Sequence, residues 1–259
     1  MVKSGAMRPF VPALALLVII GILWESVTWF WRVPEWLLPA PSVIAVEFVT
    51  ALPHLIPHTI RTLIEVGFGY GVALGSAFII AVITDQSKLA QRALDPLLVG
   101  SQTLPIFALA PLLAIWFGFG IFPKILIVAL VCFFPIAVSL AAGLRGTDTE
   151  MVALVRSMGA NARQVFLKVK LPSAIPSLLS GMKIAASYSV IAAVIAEWIG
   201  ASQGLGLYML RASNSFQTAR VFAVIGVITA LSIALFLIVD VIGRLIAPWI
   251  YVRTEESIT

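Results

Sequence analysis

Six stretches of this sequence are apolar over about 20 residues or more, the length that an α-helix needs to cross the roughly 30 Å hydrocarbon core of a bilayer. They are residues 10–31, 60–84, 97–117, 124–144, 181–201 and 221–247. Only 11% of the 259 residues are charged, whereas a soluble domain carries about a quarter. So few charges do not suffice for a water-facing surface. The sequence therefore predicts an all-α polytopic membrane protein with about six transmembrane helices, in a single domain over residues 1–259.

The basic residues predict the orientation of the chain. With residues 1–9 on the inside, the inside segments and their flanking helix ends hold twelve lysines and arginines and the outside holds five. Lysine and arginine accumulate on cytoplasmic loops, so both termini are expected in the cytoplasm. The net charge of +5 then reflects topology, and no nucleic-acid partner is expected. The first stretch lacks a small-residue cleavage site, so we interpret it as a retained membrane anchor.

Two features outside the apolar runs concern local structure. Residues 42–51 are expected to form a short helix lying on the outer surface, with Ser42 as its N-cap. Gly67, Gly71 and Gly75 recur every four residues, which puts them on one helix face where another helix can approach closely.

The polar segment 147–172 interrupts the apolar pattern. Thr147 and Glu150 have the spacing of a capping box, which predicts a helix running to Met158. Gly159 supplies a left-handed turn, and Asn161 is expected to cap a second helix that runs to about Lys170, before Leu171 and Pro172. Apolar residues on such a segment are costly unless covered, so they pack on the protein's own helices or on a partner. The members of the two apolar faces are Val152, Val155, Met158, Val165, Phe166 and Val169.

This segment resembles the cytoplasmic loop by which bacterial ABC-importer permeases contact their ATPase. The family pattern is Glu-Ala-Ala, three residues, Gly, nine residues and Ile-x-Leu-Pro; Gly159, Val169, Leu171 and Pro172 match it in register. The triad departs, because Ala153, Leu154 and Val155 stand in its place. Residues 37–42, together with Gly204, Leu205 and Gly206, resemble two further family signatures. The residues that the resemblance assigns to ATPase coupling are Gly159, Ala160, Arg163, Val169, Leu171 and Pro172.

The resemblance implies a bacterial inner-membrane permease that works as a homodimer. Two copies of an ATPase subunit dock on the inside, and a soluble binding protein delivers substrate outside. ATP and Mg²⁺ bind to the ATPase, and this chain binds no cofactor and is not an enzyme, in line with its lack of a Walker A loop. Residues 8–250 resemble the branch that imports sulfonates, taurine, nitrate and the pyrimidine precursors of thiamine. Residues 186–200 and 215–218 are most similar to the pyrimidine-precursor permeases.

Four acids lie within or beside the apolar runs, where an unpaired charge costs roughly 2.5–3.5 kcal/mol on insertion scales. Glu25 and Glu65 are expected to reach water at the headgroups, and Asp240 is expected to pair with Arg244 one turn later. Glu197 has two open interpretations: a carboxylate that recognises a heteroaromatic ring with N–H donors, or a structural acid bonded to a neighbouring helix. The first fits an aminopyrimidine better than a sulfonate or nitrate, which a fixed negative charge would repel.

The predicted substrate-pathway residues are Glu197, Trp198, Tyr188 and, more weakly, Gln102. No metal site is expected, because His54 and His58 lack a third ligand and Cys132 is the only cysteine. Two other functional classes compete with the permease. A stand-alone secondary transporter would show repeats or charged relays in several spans, and an intramembrane enzyme would need a metal set or nucleophile constellation that the sequence does not offer.

Overall fold

The structure, a computed structural model, describes residues 10–100 and 105–249. Helices account for nearly all of these residues, which include no strand. They are α1 (Phe10–Phe30), α2 (Pro41–Gln86), α3 (Lys88–Gly100), α4 (Ile106–Phe117), α5 (Phe122–Arg145), α6 (Thr149–Ser157), α7 (Ala162–Val165), a π-helical turn (Phe166–Lys170), α8 (Leu171–Glu197), α9 (Leu205–Asn214) and α10 (Thr218–Ile246).

The predicted all-α membrane architecture is confirmed. Among the described residues, four helical stretches are long and apolar enough to span a bilayer: Pro41–Gln86, Phe122–Arg145, Ala162–Glu197 and Thr218–Ile246. Two shorter apolar helices, Leu14–Phe30 and Ala108–Phe117, correspond to the first and third predicted spans. The third span is divided between α3 and α4, and the residues that join them lie outside the described part of the chain.

Helix α2 is longer than the sequence predicted. We expected a separate surface helix over residues 42–51, but this stretch is continuous with the following span in a helix of 46 residues, about 69 Å long at 1.5 Å per residue. Pro53 and Pro57 lie inside the helix without ending it. They are four residues apart and exposed, so the carbonyl groups that they leave without an N–H donor lie on one accessible face.

The predicted N-cap at Ser42 was wrong. Helix α2 starts after Ala40 with Pro41 in its first turn, and no side chain caps it. Ser42 instead donates from its hydroxyl to Oε1 of Glu25 at 2.7 Å and from its backbone N–H to Oε2 at 3.1 Å. Glu25 of α1 therefore satisfies an N–H group of the first turn of α2, in place of a residue of α2 itself.

Helix α5 forms the centre of the bundle and packs chiefly against α2 and α8. Its residues Val128, Cys132, Ile136 and Leu140 follow one another every four positions and are all 0% exposed. Such spacing puts them on one helix face.

The close contact between α2 and α5 uses a different glycine face from the predicted one. Gly67, Gly71 and Gly75 face open space, whereas a Cβ added at Gly69 would lie 2.5 Å from Cβ of Val128. The following residues of the contact face are Ala73, Ala77 and Ala81, each 0% exposed. Small side chains every four residues from Gly69 onward let the two backbones approach. Within a single chain, the prediction that Gly67, Gly71 and Gly75 form the close helix contact was therefore wrong.

Candidate functional site

The segment 147–172 begins with helix α6, whose cap differs from the predicted one. The carboxylate of Asp148 accepts a hydrogen bond from the backbone N–H of Glu150 at 2.8 Å, while the hydroxyl of Thr147 is buried without a partner. Asp148, not Thr147, is therefore the N-cap. The helix ends at Ser157, and Gly159 follows with φ of +88°. The predicted left-handed turn at Gly159 is confirmed.

Helix α7 opens with the predicted N-cap at Asn161, which forms a capping box with Gln164. The N–H of Gln164 donates to Oδ1 of Asn161 at 2.9 Å, and the N–H of Asn161 donates to Oε1 of Gln164 at 2.8 Å. Each end of the pair thus satisfies an N–H group that the first turn leaves free.

The sequence predicted that this helix ends before Leu171 and Pro172. The structure shows that it continues through both residues. A π-helical turn, Phe166–Lys170, carries the chain directly into α8, and the N–H of Leu171 bonds to the carbonyl of Phe166 five residues earlier. Pro172 falls in the first turn of α8, where its missing N–H is tolerated. The polar segment and a membrane-spanning helix are consequently one continuous helical rod, Ala162–Glu197.

Helix α6 and Met158, the residue after its end, present an apolar face that the described part of the chain does not cover. Met151, Leu154 and Met158 are 49%, 57% and 78% exposed, and α6 contributes no buried residue to the core. In contrast, Val165 of α7 is 2% exposed, and its neighbour Phe166 packs against the buried cluster around Leu140 and Ala174, which anchors the segment to the bundle. An uncovered apolar face beside polar residues is typical of a protein–protein contact.

The six residues assigned to coupling lie on both sides of this anchor. Gly159 and Arg163 are exposed, Ala160 is half-buried, and Val169, Leu171 and Pro172 are half-buried where the rod enters the bundle. Next to them, Nζ of Lys170 forms a 2.7 Å ion pair with Oδ1 of Asp85, whose side chain is 8% exposed. This pair ties the π-helical turn to the last turn of α2.

A second polar cluster lies at the opposite end of the bundle. His58 and Asp85 are 27 positions apart on α2, which corresponds to about 40 Å of helix. Near His58, three consecutive backbone N–H groups at the N-terminal end of α9 donate to side chains of α2 and α8. Gly204 bonds to Nδ1 of His58 at 2.9 Å, Leu205 to Oγ1 of Thr62 at 3.0 Å, and Gly206 to Oε2 of Glu197. We call this arrangement the distal clamp.

The distal clamp requires glycine at two of its three positions. Gly204 has φ of +137°, and a Cβ added there would lie 2.2 Å from Cδ of Glu197. A Cβ at Gly206 would lie 2.2 Å from the carbonyl oxygen of Val194. The signature at residues 204–206 therefore reflects a backbone that touches the end of α8.

Glu197 is enclosed within this clamp. Its side chain is 0% exposed, and Oε1 accepts a 2.6 Å hydrogen bond from the hydroxyl of Thr62 while Oε2 accepts one from Gly206. This geometry favours the structural role among the two that the sequence left open. Its assignment to the substrate pathway stays a prediction.

The other predicted pathway residues are not gathered around this carboxylate. Trp198 is 39% exposed and Tyr188 is 55% exposed; Tyr188 precedes Glu197 by nine residues, or about two and a half turns, and so lies on the other side of α8. Gln102 lies outside the described residues. The sequence interpretation missed Thr62 and considered His58 only as a candidate metal ligand, and the one signal for their role here was their polarity at the start of an apolar run.

Two of the remaining intramembrane acids form ion pairs. Glu65 is 0% exposed and Oε1 lies 3.2 Å from Nε of Arg61, so the expectation that Glu65 reaches headgroup water was wrong. The predicted pair of Asp240 with Arg244 is confirmed at 2.9 Å, and Lys183 of α8 joins it. No group of three metal-ligating side chains occurs among the described residues.

A polar cavity of about 410 Å³ lies beside the distal clamp, between α2, α9 and the start of α10. We call it the distal pocket. Its polar lining consists of His54, His58, Tyr208, Arg211, Ser215, Gln217 and Arg220.

Comparison with known proteins gives a consistent result. A family profile described as "binding-protein-dependent transport system inner membrane component" matches residues 71–251. The formylaminopyrimidine transport permease protein ThiX of Halalkalibacterium halodurans is 34% identical over 83% of this chain and 86% of its own length. A putative aliphatic sulfonates transport permease protein, SsuC of Bacillus subtilis, is 30% identical over 85% of this chain and 81% of its own length. Among solved structures, an inward-facing MetNI methionine ABC transporter matches with a TM-score of 0.66 at 19% identity, over 75% of this chain and 97% of that one.

Proposed function

Because this chain belongs to the family of binding-protein-dependent transport system inner membrane components, we propose that it forms the substrate pathway of an ATP-driven importer. In this proposal residues 1–259 make one permease domain, and two copies of the chain enclose the pathway. Two ATPase subunits, which bind ATP and Mg²⁺, dock on the cytoplasmic side, and an extracytoplasmic binding protein delivers the substrate. Both termini of the chain lie in the cytoplasm.

The observation that carries the proposal is the exposed apolar face of α6, which is joined through the turn at Gly159 to a rod that continues as a membrane helix. Met151, Leu154 and Met158 offer a surface for the ATPase, with Gly159, Ala160 and Arg163 at its edge. A displacement of this surface is transmitted to α8 through the continuous rod, and to α2 through the ion pair between Lys170 and Asp85. The segment 147–172 thus has the connections that alternating access between two conformations requires.

For the substrate we propose a pyrimidine precursor of thiamine or a similar small heteroaromatic compound. The similarity to the formylaminopyrimidine permease over most of both chains supports this choice. The alternative is a sulfonate, taurine or nitrate within the same family, which the similarity to the sulfonate permease supports. A stand-alone secondary transporter is the remaining alternative, and it needs no exposed docking face on α6.

The first experiment is purification of the tagged chain from its native membrane in mild detergent, with the co-purifying proteins identified by mass spectrometry. We expect an ATPase at equal stoichiometry and, after cross-linking, a soluble binding protein whose ligand identifies the substrate. Recovery of the chain without any ATPase, even after cross-linking, would contradict the proposal and favour the stand-alone transporter.

A further inference from the structure

The distal pocket has the size and position of a ligand site. Its volume of about 410 Å³ falls within the range of roughly 300–1,000 Å³ that is typical of small-molecule sites. It is formed where α2, α9 and α10 meet, at the end of the bundle that faces away from α6. In the proposed orientation this is the outer end, where substrate reaches the permease first.

The wall of the pocket is fixed in place before any ligand arrives. Helix α9, which supplies Tyr208 and Arg211, is held at its first turn by the three N–H bonds of the distal clamp. One of these bonds occupies Nδ1 of His58, so the neutral imidazole carries its proton on Nε2. A wall that does not need to be ordered on binding lowers the entropic cost of binding.

The two arginines of the pocket differ in their partners. Nε of Arg220 donates to Oε1 of Glu47 at 2.6 Å, and its guanidinium also bonds to Gln217. Arg211 is exposed and pairs with no carboxylate in residues 10–100 and 105–249. Within the described part of the chain, the pocket therefore keeps one positive charge that no carboxylate neutralises, on a side chain whose fork of N–H groups suits an oxygen acceptor.

The pocket also contains an aromatic surface. The rings of His58 and Tyr208 lie 5.1 Å apart at an angle of 45°, and the guanidinium of Arg220 lies 5.9 Å from the centre of the Tyr208 ring. Such a surface favours a planar ligand that stacks on it or meets its edge.

From these features we infer that the distal pocket binds a small planar ring compound that carries a carbonyl or carboxylate oxygen. Arg211 donates hydrogen bonds to the oxygen, and the ring lies against Tyr208. The inference rests on the proposed function, because the distal pocket is then the first place where the substrate contacts the permease. It assigns that contact to α9 and α2, rather than to the enclosed carboxylate of Glu197.

The test measures binding directly, without requiring transport or an ATPase. The full chain is placed in lipid nanodiscs, and saturation-transfer NMR is recorded with formylaminopyrimidine and, separately, with taurine, which has no ring. Four variants are compared with the wild type: Arg211→Gln, Tyr208→Ala, Tyr208→Phe and Arg32→Gln. Arg32 is a matched control because it is an exposed arginine, predicted to lie outside, that does not line the pocket.

We expect the pyrimidine to bind the wild type at least tenfold more tightly than taurine does. Arg211→Gln and Tyr208→Ala should each weaken pyrimidine binding about tenfold or more, whereas Tyr208→Phe and Arg32→Gln should change it less than threefold. Absence of pyrimidine binding to the wild type, or equal binding by Arg211→Gln and the wild type, would overturn the inference. ATPase recruitment in the co-purification experiment is unaffected by either result, so failure of this inference is distinguishable from failure of the proposed function.

Discussion

The hydroxyl of Thr62 donates a 2.6 Å hydrogen bond to the carboxylate of Glu197, 135 residues further along the chain. This contact joins the middle of α2 to the end of α8, and the same hydroxyl accepts a hydrogen bond from the N–H of Leu205. Neither residue is exposed. One side-chain pair thus holds three elements together at the distal end, opposite the predicted ATPase contact.

Replacing Glu197 with alanine should therefore destabilise the protein. The N–H of Gly206 would lose its acceptor in a buried place, at a cost of about 1–3 kcal/mol, and the hydroxyl of Thr62 would keep only the carbonyl of His58 in its own helix, 3.1 Å away, as acceptor. We expect a lower unfolding temperature in detergent, measured by size-exclusion chromatography after heating. Glu35→Ala, which removes an exposed acid, is the control. A Glu197→Ala protein of wild-type stability with impaired uptake would instead favour the substrate-pathway assignment.

Gly159→Val should prevent productive contact with the ATPase while the chain still inserts. Valine at a φ of +88° is strained by at least about 1–2 kcal/mol, so the turn between α6 and α7 would change shape. The readouts are the amount of ATPase that co-purifies and the ratio of ATP hydrolysed to substrate transported. Gly21→Val is the matched control, because Gly21 lies in α1 with room for a side chain. Normal coupling in Gly159→Val would refute the assignment of this turn.

The apolar face of α6 should be needed for docking and not for folding. Leu154→Glu places a charge on a side chain that is 57% exposed, so the unfolding temperature should stay within a few degrees of the wild type. We expect ATPase recovery to fall about tenfold, since a buried charge without a partner weakens an interface. Leu154→Met keeps the surface apolar and should retain the ATPase. Full recovery of the ATPase with Leu154→Glu would show that docking uses another surface.

The pair of Lys170 with Asp85 can be tested by exchanging its charges. Lys170→Asp and Asp85→Lys should each lower ATP-coupled uptake several-fold, because each leaves like charges facing across the contact between the π-helical turn and α2. The double exchange should recover most of the loss, giving a coupling energy within the range of about 0.5–3 kcal/mol found for residues in contact. If the losses of uptake in the two single variants add up in the double variant, the contact between Lys170 and Asp85 does not contribute to coupling.

Gly69→Val should disrupt the contact between α2 and α5, since its Cβ would overlap the side chain of Val128. Overpacking of a close contact costs about 1–3 kcal/mol, and a lower yield of folded protein in detergent measures it. Gly71→Val is the informative comparison, because no atom of the residues that the structure describes lies within 4 Å of a Cβ added there. We expect it to fold normally. If it folds but no longer forms a dimer, the glycines 67, 71 and 75 contact the second copy, as their spacing suggested.

The distinction between these two glycine faces shows where sequence reasoning stops. Gly67 and Gly69 belong to the same glycine-rich run of α2. The four-residue spacing of small residues predicts close packing for the helix face of either glycine. Which face meets α5 depends on how the two helices are rotated, and that rotation follows from the buried stripe of α5 around Val128. Thr147 and Asp148 present the same difficulty at a smaller scale, because either side chain is able to cap a helix.

The prolines of α2 led the sequence interpretation to divide one helix into two. Proline removes a helix hydrogen bond, but Pro53 and Pro57 are exposed and line the distal pocket, so the helix passes through them outside the packed core. The pocket exists only in the folded bundle, so nothing local in the sequence indicates that the helix continues.

By itself, the sequence determined the membrane class, the apolar runs, the capping box at Asn161, the turn at Gly159 and the resemblance to importer permeases. These features depend on composition and on residues within a few positions of each other. The tertiary structure alone decided that Glu197 is enclosed, that residues 204–206 bond to α2 and α8, and that Arg211 and Tyr208 share a pocket. Each of these features depends on contacts between helices that are distant in the chain. The rotation of each helix about its axis determines these contacts, and the packing of the whole bundle sets that rotation.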